Sequence, residues 1–113
     1  MRVPADQGAL TVSAESPEAL GPVLEKAVVL LRGMAYEHRL RILVLLQDGE
    51  RTPAALADEI PAEPTSIAHH LRFLRDARLI RRRRDGRQSY YALHGEPIRH
   101  LVTEVLRCAD ERS

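Results

Sequence analysis

The segment from Leu71 to Leu93 most constrains what this 113-residue chain can fold into. An amphipathic helical pattern runs into a short strand of arginines, crosses Asp85-Gly86 and returns along a second strand. Asp-Gly between two extended runs is among the strongest signals for a two-residue hairpin turn. The sequence therefore predicts a helix that is followed directly by a β-hairpin.

The same segment carries the excess positive charge of the chain. It contains eight arginines and two acids, whereas the whole chain has a formal net charge of only +1. Local cationic density, rather than total charge, binds a polyanion, because each phosphate is neutralised where it is contacted. The pattern is typical of a surface that binds nucleic acid. Arginines that are solvated or paired with acids elsewhere would give the same composition.

Two helices joined by a tight turn are expected before the hairpin, after a helix from about Tyr36 to Gln47. Thr52-Pro53 indicates a helix start, because a hydroxyl caps free N–H groups and proline fits the first helical position. Pro61 and Pro64 disfavour helix before them, so we expect a turn there and a new helix from Pro64. This pattern is a helix-turn-helix, and with the hairpin it becomes a winged helix. The buried stripe of the second helix is expected to be Ile67, Leu71 and Leu74, with the following Leu79.

Helices are also expected at both ends of the domain, from Ser16 to Gly33 and from Ile98 to about Asp110. Both are apolar on more than one face, which is typical of a helix that buries a second surface. We therefore expect one mainly α domain over 16–113 with a small β-hairpin, dimerising through its first and last helices, and a flexible arm over 1–15. The expected interface residues are Leu20, Val23, Leu24, Leu101, Val105 and Cys108.

Composition argues against several classes of protein. A single cysteine, Cys108, cannot form an internal disulfide, the N-terminus lacks a signal-peptide core, and no stretch approaches the roughly 20 apolar residues of a membrane span. The few aromatic residues argue against a stacking platform for single strands. There is no Gly-rich phosphate loop or nucleophile elbow, and His38, His69 and His94 are dispersed. We expect a cytoplasmic protein that is not an enzyme and has no membrane partner.

The winged-helix plan predicts which side chains meet DNA. The second helix enters the major groove and the hairpin tip reaches a minor groove. Only alternate members of the strand 81–84 share a face, so about two of its arginines should point at DNA. His69 and His70 are adjacent on a helix, so one of them should be half-buried. The predicted contacts are Thr65, Ser66, His69, His70, Arg72, Arg82, Arg84 and Arg87.

From about Met34 to Leu93 the chain resembles the ArsR/SmtB family of winged-helix repressors. The resemblance rests on "HRLRILVLL" (38–46), "TPAALADEI" (52–60), "TSIAHHLRFLRDARLI" (65–80) and "RRRRDGRQSYYAL" (81–93). It implies a homodimer, joined through its first and last helices, that binds an inverted-repeat operator and is released by a metal or another signal. Ala68 stands where the family often has Ser, so the operator preference does not carry over.

The metal sites of that family match only in part. The cysteine pair of one site type has no counterpart here. For the dimer-interface type, the first two ligand positions fall on Gly95 and Pro97, which cannot ligate, and the last two fall on Cys108 and Glu111, which can. Imidazole, thiolate and carboxylate donors together suit nickel or zinc. The candidate ligands are His94, His100, Glu104, Cys108 and Glu111.

Each of these interpretations has an alternative. Cys108 is equally typical of a small buried hydrophobe, and His100 with Glu104 of a solvated i,i+4 pair. The incomplete ligand set also allows a different signal, or an accessory protein that senses the metal. The sequence favours a DNA-binding transcriptional regulator that acts as a repressor. The alternative function is a winged-helix protein-interaction module that uses its arginines against an acidic partner.

Overall fold

The computed structural model describes residues 17–112 of the chain. The predicted arm over 1–15 and the Ser16 cap lie outside the described residues. The elements are α1 (Pro17–Gly33), α2 (Glu37–Leu45), a 3-10 turn (Leu46–Asp48), α3 (Pro53–Glu59), α4 (Pro64–Asp76), β1 (Ile80–Asp85), β2 (Gln88–Leu93) and α5 (Glu96–Glu111). The mainly α architecture with one β-hairpin is confirmed. None of the helices in the described part of the chain is long and apolar enough to cross a membrane.

The helix starts that local chemistry predicts in the helix-turn-helix are present. The Thr52 hydroxyl oxygen accepts a hydrogen bond from the Ala55 N–H at 3.1 Å, and Pro53 lies in the first turn of α3. Pro64 likewise lies in the first turn of α4, where its missing N–H costs no hydrogen bond. The turn between α3 and α4 is therefore fixed by short-range sequence signals.

The core lies between α2, α3, α4, the hairpin and α5. The predicted stripe of α4 and Leu79 is confirmed as buried. On α2, Ile42 is 0% exposed, whereas Leu40 and Val44 are half-buried. The buried line of α2 follows the helical i, i+3, i+4 spacing from Arg39, and Leu40 and Val44 flank that line. The fully buried side chains are Ile42, Leu43, Leu46, Leu56, Ile67, Leu71, Leu74, Leu79, Ile80 and Val102.

Two helix boundaries differ from the prediction. The last helix begins at Glu96 rather than at Ile98, because Pro97 occupies its first turn, where proline is tolerated, and does not break the chain. The α-helix that was predicted to reach Gln47 ends at Leu45, and Leu46–Asp48 form the 3-10 turn instead.

The C-terminus of α4 ends in a Schellman motif. The Leu79 N–H donates to the Leu74 carbonyl and the Arg78 N–H donates to the Arg75 carbonyl, both at 3.0 Å. Arg78 has a φ of 62°, the left-handed conformation that this motif requires and that usually selects glycine. Leu74 and Leu79 are both fully buried, which closes the motif with an apolar contact.

The two strands pair antiparallel, from Ile80 opposite Leu93 to Asp85 opposite Gln88. The central turn residues are therefore Gly86 and Arg87, one position later than an Asp85-Gly86 turn would place them. Gly86 has a φ of 65°, as expected for glycine at the first central position of a type II′ turn. The hairpin is confirmed and its register is corrected by one residue.

Candidate nucleic-acid interface

Helix α4 has one buried side and one open side. Because the stripe led by Ile67, Leu71 and Leu74 packs into the core, the residues between them face outward. Ser66 is half-buried at the edge of the open side. The exposed residues of α4 after Pro64 are Thr65, Ala68, His69, Arg72, Arg75 and Asp76.

The strand register divides the arginines of the hairpin between its two faces. Ile80 is opposite Leu93 and Arg82 is opposite Tyr91, and three of these residues are buried, so Arg82 and then Arg84 follow Ile80 along the core-side face. Arg81 and Arg83 lie on the other face. The register therefore places two arginines of this strand on each face, and the expectation that about two of them point at DNA stays a prediction.

Arg83 is engaged within the protein. Its guanidinium forms two hydrogen bonds with the Glu50 carboxylate, at 3.0 and 2.8 Å, and lies 4.5 Å from the ring centroid of Tyr90 on the opposite strand. The Arg83 hydrogen bond lowers the pKa of Glu50, and the same bond raises the pKa of Arg83. Arg83 therefore anchors the hairpin to the loop after α2.

The other arginines of the helix–hairpin segment are not engaged. Within residues 17–112, none of them donates a side-chain hydrogen bond or forms an ion pair, in contrast to Arg41, Arg51, Arg99 and Arg107 in the rest of the fold. Guanidinium groups without internal acceptors are available to an external anion. The exposed, unengaged members are Arg72, Arg75, Arg78, Arg81, Arg82, Arg84 and Arg87.

The open side of α4 and the hairpin meet at two neighbouring clefts. The first, of about 430 Å³, is lined by Ala68, Arg72, Arg75, Asp76, Arg82 and Tyr91. The second, of about 440 Å³, lies at the C-terminal end of α4 and is lined by Arg75, Asp76, Arg78, Ile80, Arg81, Arg82 and His94. Sequence reasoning missed Arg75 and Arg78 as candidates. The spacing of Arg75, three residues after Arg72 on one helix, is a signal that could have found it.

The candidate contacts on α4 are not all equally open. His69 and Arg72 are exposed, but His70 is half-buried, as expected for one of the two histidines. Its ring lies edge-on to His38 of α2, with centroids 5.9 Å apart, and its Nδ1 is buried without a partner. Burial lowers the pKa of His70, and the nearby Arg39, His38 and His69 lower it further. The Nδ1 atom of His70 is therefore not available to DNA, and a contact through the rest of this half-buried ring stays a prediction.

The candidate metal ligands do not form a cluster within one chain. Across residues 17–112, no group of three or more His, Cys, Asp and Glu side chains is placed to hold a metal ion. Glu104 and Glu111 both bind Arg107, whose hydrogen bond lowers the pKa of Glu104, and His100 lies 3.8 Å from Glu96.

The ends of α5 are also too far apart to share an ion within one chain. Cys108 is exposed near the C-terminal end, whereas His94 precedes the first turn. At the helical rise of 1.5 Å per residue, a separation of fourteen positions corresponds to roughly 20 Å. The candidate ligands in residues 17–112 of a single chain therefore do not form a complete metal centre.

The predicted interface residues lie on two helices. On α1, Val23 and Leu24 are 45% and 53% exposed, and Leu20 is half-buried. On α5, Leu101 and Val105 are half-buried and pack partly against the core. Helix α1 exposes further apolar side chains, namely Val28, Val29 and Leu31.

A helix-turn-helix whose second helix shares a basic surface with the following hairpin defines the winged-helix class of DNA-binding proteins. Residues 37–82 match the family model described as "Bacterial regulatory protein, arsR family". The chain is 37% identical over 79 residues to the HTH-type transcriptional regulator KmtR of Mycobacterium tuberculosis, a match that covers 70% of this chain and 61% of that protein. It is 30% identical over 92 residues to the arsenical resistance operon repressor of Bacillus subtilis, covering 80% of this chain and 88% of that protein.

A solved structure agrees with these relatives. The homodimeric winged helix-turn-helix DNA-binding domain of Mb0332 from Mycobacterium bovis superposes with a TM-score of 0.76 at 32% identity, covering 80% of this chain and 84% of that one. The chain belongs to the arsR family of bacterial regulatory proteins. This is a family of DNA-binding transcriptional regulators and not of enzymes, in agreement with the sequence analysis.

Proposed function

We propose that this chain is a dimeric, sequence-specific DNA-binding regulator that represses transcription in the cytoplasm. The observation that carries the proposal is the shared basic surface: the open side of α4 and the core-side face of the hairpin border the same clefts. A surface of this kind lets one module contact the major groove and the adjacent backbone together. The name of the Bacillus subtilis relative supports repression, although another relative, HlyU of Vibrio cholerae, is named a transcriptional activator.

On this proposal the two elements have different tasks. Thr65, Ser66 and His69 at the N-terminal half of α4 meet base edges in the major groove, because hydroxyl and imidazole groups can both donate and accept hydrogen bonds there. Arg84 and Arg87 reach the neighbouring minor groove from the hairpin, where the narrow groove attracts guanidinium groups. Base contacts set the sequence preference and arginine contacts to the backbone set the strength of binding.

Dimerisation through α1 and α5 would present two such surfaces to DNA. Two-fold symmetry in the protein calls for an inverted repeat, with half-sites separated by about one helical turn or a multiple of it. The apolar side chains that α1 leaves exposed support this use of the helix. The homodimeric state of the Mycobacterium bovis domain supports it as well.

A nickel or zinc response belongs to this proposal only as a property of the dimer. Donors from the start of one α5 and the end of another would have to meet across the interface, since those of one chain lie too far apart. Release of DNA would then require that the metal bind the free conformation more tightly than the DNA-bound one. Added zinc or nickel should weaken operator binding in the wild type and not in Cys108→Ala. An equal loss of binding in both proteins would contradict the role of Cys108, and no effect in either would leave sensing to an accessory protein.

The experiment that tests the proposed function compares two DNA duplexes. Fluorescence anisotropy should show tighter binding to a labelled fragment from upstream of the gene for this chain than to a scrambled fragment of equal length. Affinity for both should fall steeply as salt rises from about 50 to 200 mM, because bound counterions are released from DNA. Equal affinity for the two duplexes would contradict sequence-specific regulation. Binding to neither would favour the protein-interaction module.

A further inference from the structure

The cleft between α4 and β1 is built from charges that have no partner in the protein. Arg72 and Arg75 enter it from the helix and Arg82 enters it from the strand, over the buried ring of Tyr91. None of these three guanidinium groups donates a hydrogen bond or forms an ion pair with any residue of 17–112, although Arg83, one position along the strand, has both. Ala68 adds only a methyl group to the lining of the cleft.

Three guanidinium groups that line one cleft can bind one tetrahedral anion. Each offers several N–H donors in a planar fork, which suits the oxygens of a phosphodiester better than a carbonyl or a base edge. The cleft lies where a groove-bound α4 and the hairpin would flank one strand of a duplex. An anion held there is therefore most simply a phosphate of the DNA backbone.

One residue of the cleft opposes such an anion. Asp76, the last residue of α4, lines this cleft and the neighbouring one, and its carboxylate forms no ion pair among residues 17–112. The negative charge of a carboxylate among the arginines offsets part of their positive potential, and it also repels the negative charge of a phosphate. Asp76 therefore limits how tightly the cleft can bind a backbone phosphate, whatever the base sequence of the DNA.

We propose that the cleft formed by Arg72, Arg75 and Arg82 binds a single backbone phosphodiester, and that Asp76 weakens this contact and so holds down binding to non-cognate DNA. The inference rests on the proposed DNA-binding function. It adds where one phosphate is bound and which residues strengthen or weaken that binding. The phosphate fixes the helix and the hairpin in register on the duplex. Because every duplex offers phosphates, the contact carries no sequence preference of its own.

The test measures binding of full-length variants to the operator and to the scrambled duplex over a range of salt. Arg82→Ala and Arg75→Ala should each weaken binding to both duplexes by the same factor, about tenfold, and lower the salt slope by about two, one for each half-site of the dimer. Asp76→Asn should tighten binding to both. The control is the double variant Glu37→Gln/Arg41→Gln, which removes an exposed ion pair from α2, outside both clefts, without changing net charge and should bind as the wild type does.

A neutral phosphate analogue locates the contact. Single operator phosphates are replaced with methylphosphonates. At one position per half-site, the replacement should lower the operator affinity of the wild type and cause no further loss of affinity in Arg82→Ala. The absence of any such position would overturn the inference. A shift in the ratio of operator to scrambled affinity in Arg82→Ala would also overturn it, because that residue would then read bases.

The outcomes separate the inference from the function on which it rests. Wild-type preference for the operator with unchanged affinity in the arginine variants would overturn the cleft and leave the function standing. Equal wild-type affinity for both duplexes would contradict the function, while loss of that binding in Arg82→Ala would still support the cleft. Binding to neither duplex would overturn both. Circular dichroism melting curves that match the wild type show that a variant is folded.

Discussion

At the scale of single residues, the least expected feature is a buried guanidinium. Arg39 on α2 is 8% exposed and lies between two aromatic rings, 4.4 Å from the centroid of Tyr36 and 3.7 Å from that of Phe73. Its Nη1 donates to the carbonyl of Arg32 at 3.2 Å. Since Phe73 belongs to α4 and Arg32 to α1, one side chain joins three helices.

We expect Arg39→Ala to lower the free energy of unfolding by about 2 kcal/mol, since it removes two cation–π contacts and a largely buried hydrogen bond. Arg39→Lys should recover only part of the loss, because an ammonium cannot stack its plane on both rings. Urea unfolding monitored by circular dichroism measures both changes. A loss in Arg39→Ala no larger than that of the exposed neighbour variant Arg41→Ala would contradict the stacking account.

A second residue-scale prediction concerns the left-handed turn at Arg78. Arg78→Gly should raise the free energy of unfolding by about 1 kcal/mol, because glycine adopts positive φ without the steric cost of a Cβ atom. Arg78→Ala is the matched control, since alanine retains that cost and should leave stability nearly unchanged. Equal effects of the two substitutions in urea unfolding would show that loss of the arginine charge, and not backbone strain, is responsible.

At the scale of elements, the contact between α2 and α4 holds a histidine that favours the neutral form. The pKa of His70 is lowered by burial and by the positive field of Arg39, with smaller effects of His38 and His69. The unfolded chain therefore takes up this proton at a higher pH than the folded chain does. Stability from this group is intact above the ordinary histidine pKa of about 6.5 and is lost as pH falls through the lower folded value.

Acidification should therefore destabilise the wild type more than His70→Gln. The free energy of unfolding, measured in urea at several pH values from neutral to about 5, should fall less steeply in the variant, because the variant has no proton to bind there. His94→Gln, which removes an exposed imidazole outside the helices, should follow the wild type more closely. Parallel pH profiles for wild type and His70→Gln would refute the assignment.

The element scale also shows what the sequence could predict. Thr52, Pro53 and Pro64 act on their own local backbone, so the starts of α3 and α4 were predictable. Proline at 97 has two local meanings, a helix break or a first-turn residue, and only its packing decides between them. The pairing of Arg83 with Glu50 joins residues 33 positions apart, and the basic cleft needs α4 and β1 folded together. Such contacts carry no short-range sequence signal.

At the scale of the whole molecule, the single chain leaves a helix with an uncovered apolar side. The radius of gyration is 16.0 Å, larger than the roughly 13 Å of a compact domain of about 100 residues. Helix α1 reaches the core near its C-terminal end, through Leu30 and Gly33, and exposes much of the apolar surface before it. A second copy that covers this surface would complete the packing.

We expect Val28→Glu to shift the protein from dimer to monomer. Val28 is 43% exposed in the single chain, and a charged side chain in its place would have to be buried when the dimer forms. Sedimentation velocity at micromolar concentration measures the change, and operator affinity should fall with it because half-site binding loses its partner. Glu25→Gln on the same helix serves as the control and should stay dimeric. A wild type that sediments as a monomer would contradict the interface.

The uneven distribution of paired and unpaired arginines has a practical consequence at the bench. With a formal net charge of +1, the protein would be assigned weak retention on an ion exchanger. Its seven unengaged guanidiniums are concentrated in the helix–hairpin segment, so a sulfated resin such as heparin should retain the protein far longer than its isoelectric point suggests. The same segment would retain nucleic acid from a lysate during purification, which makes a high-salt wash the first step of any clean preparation.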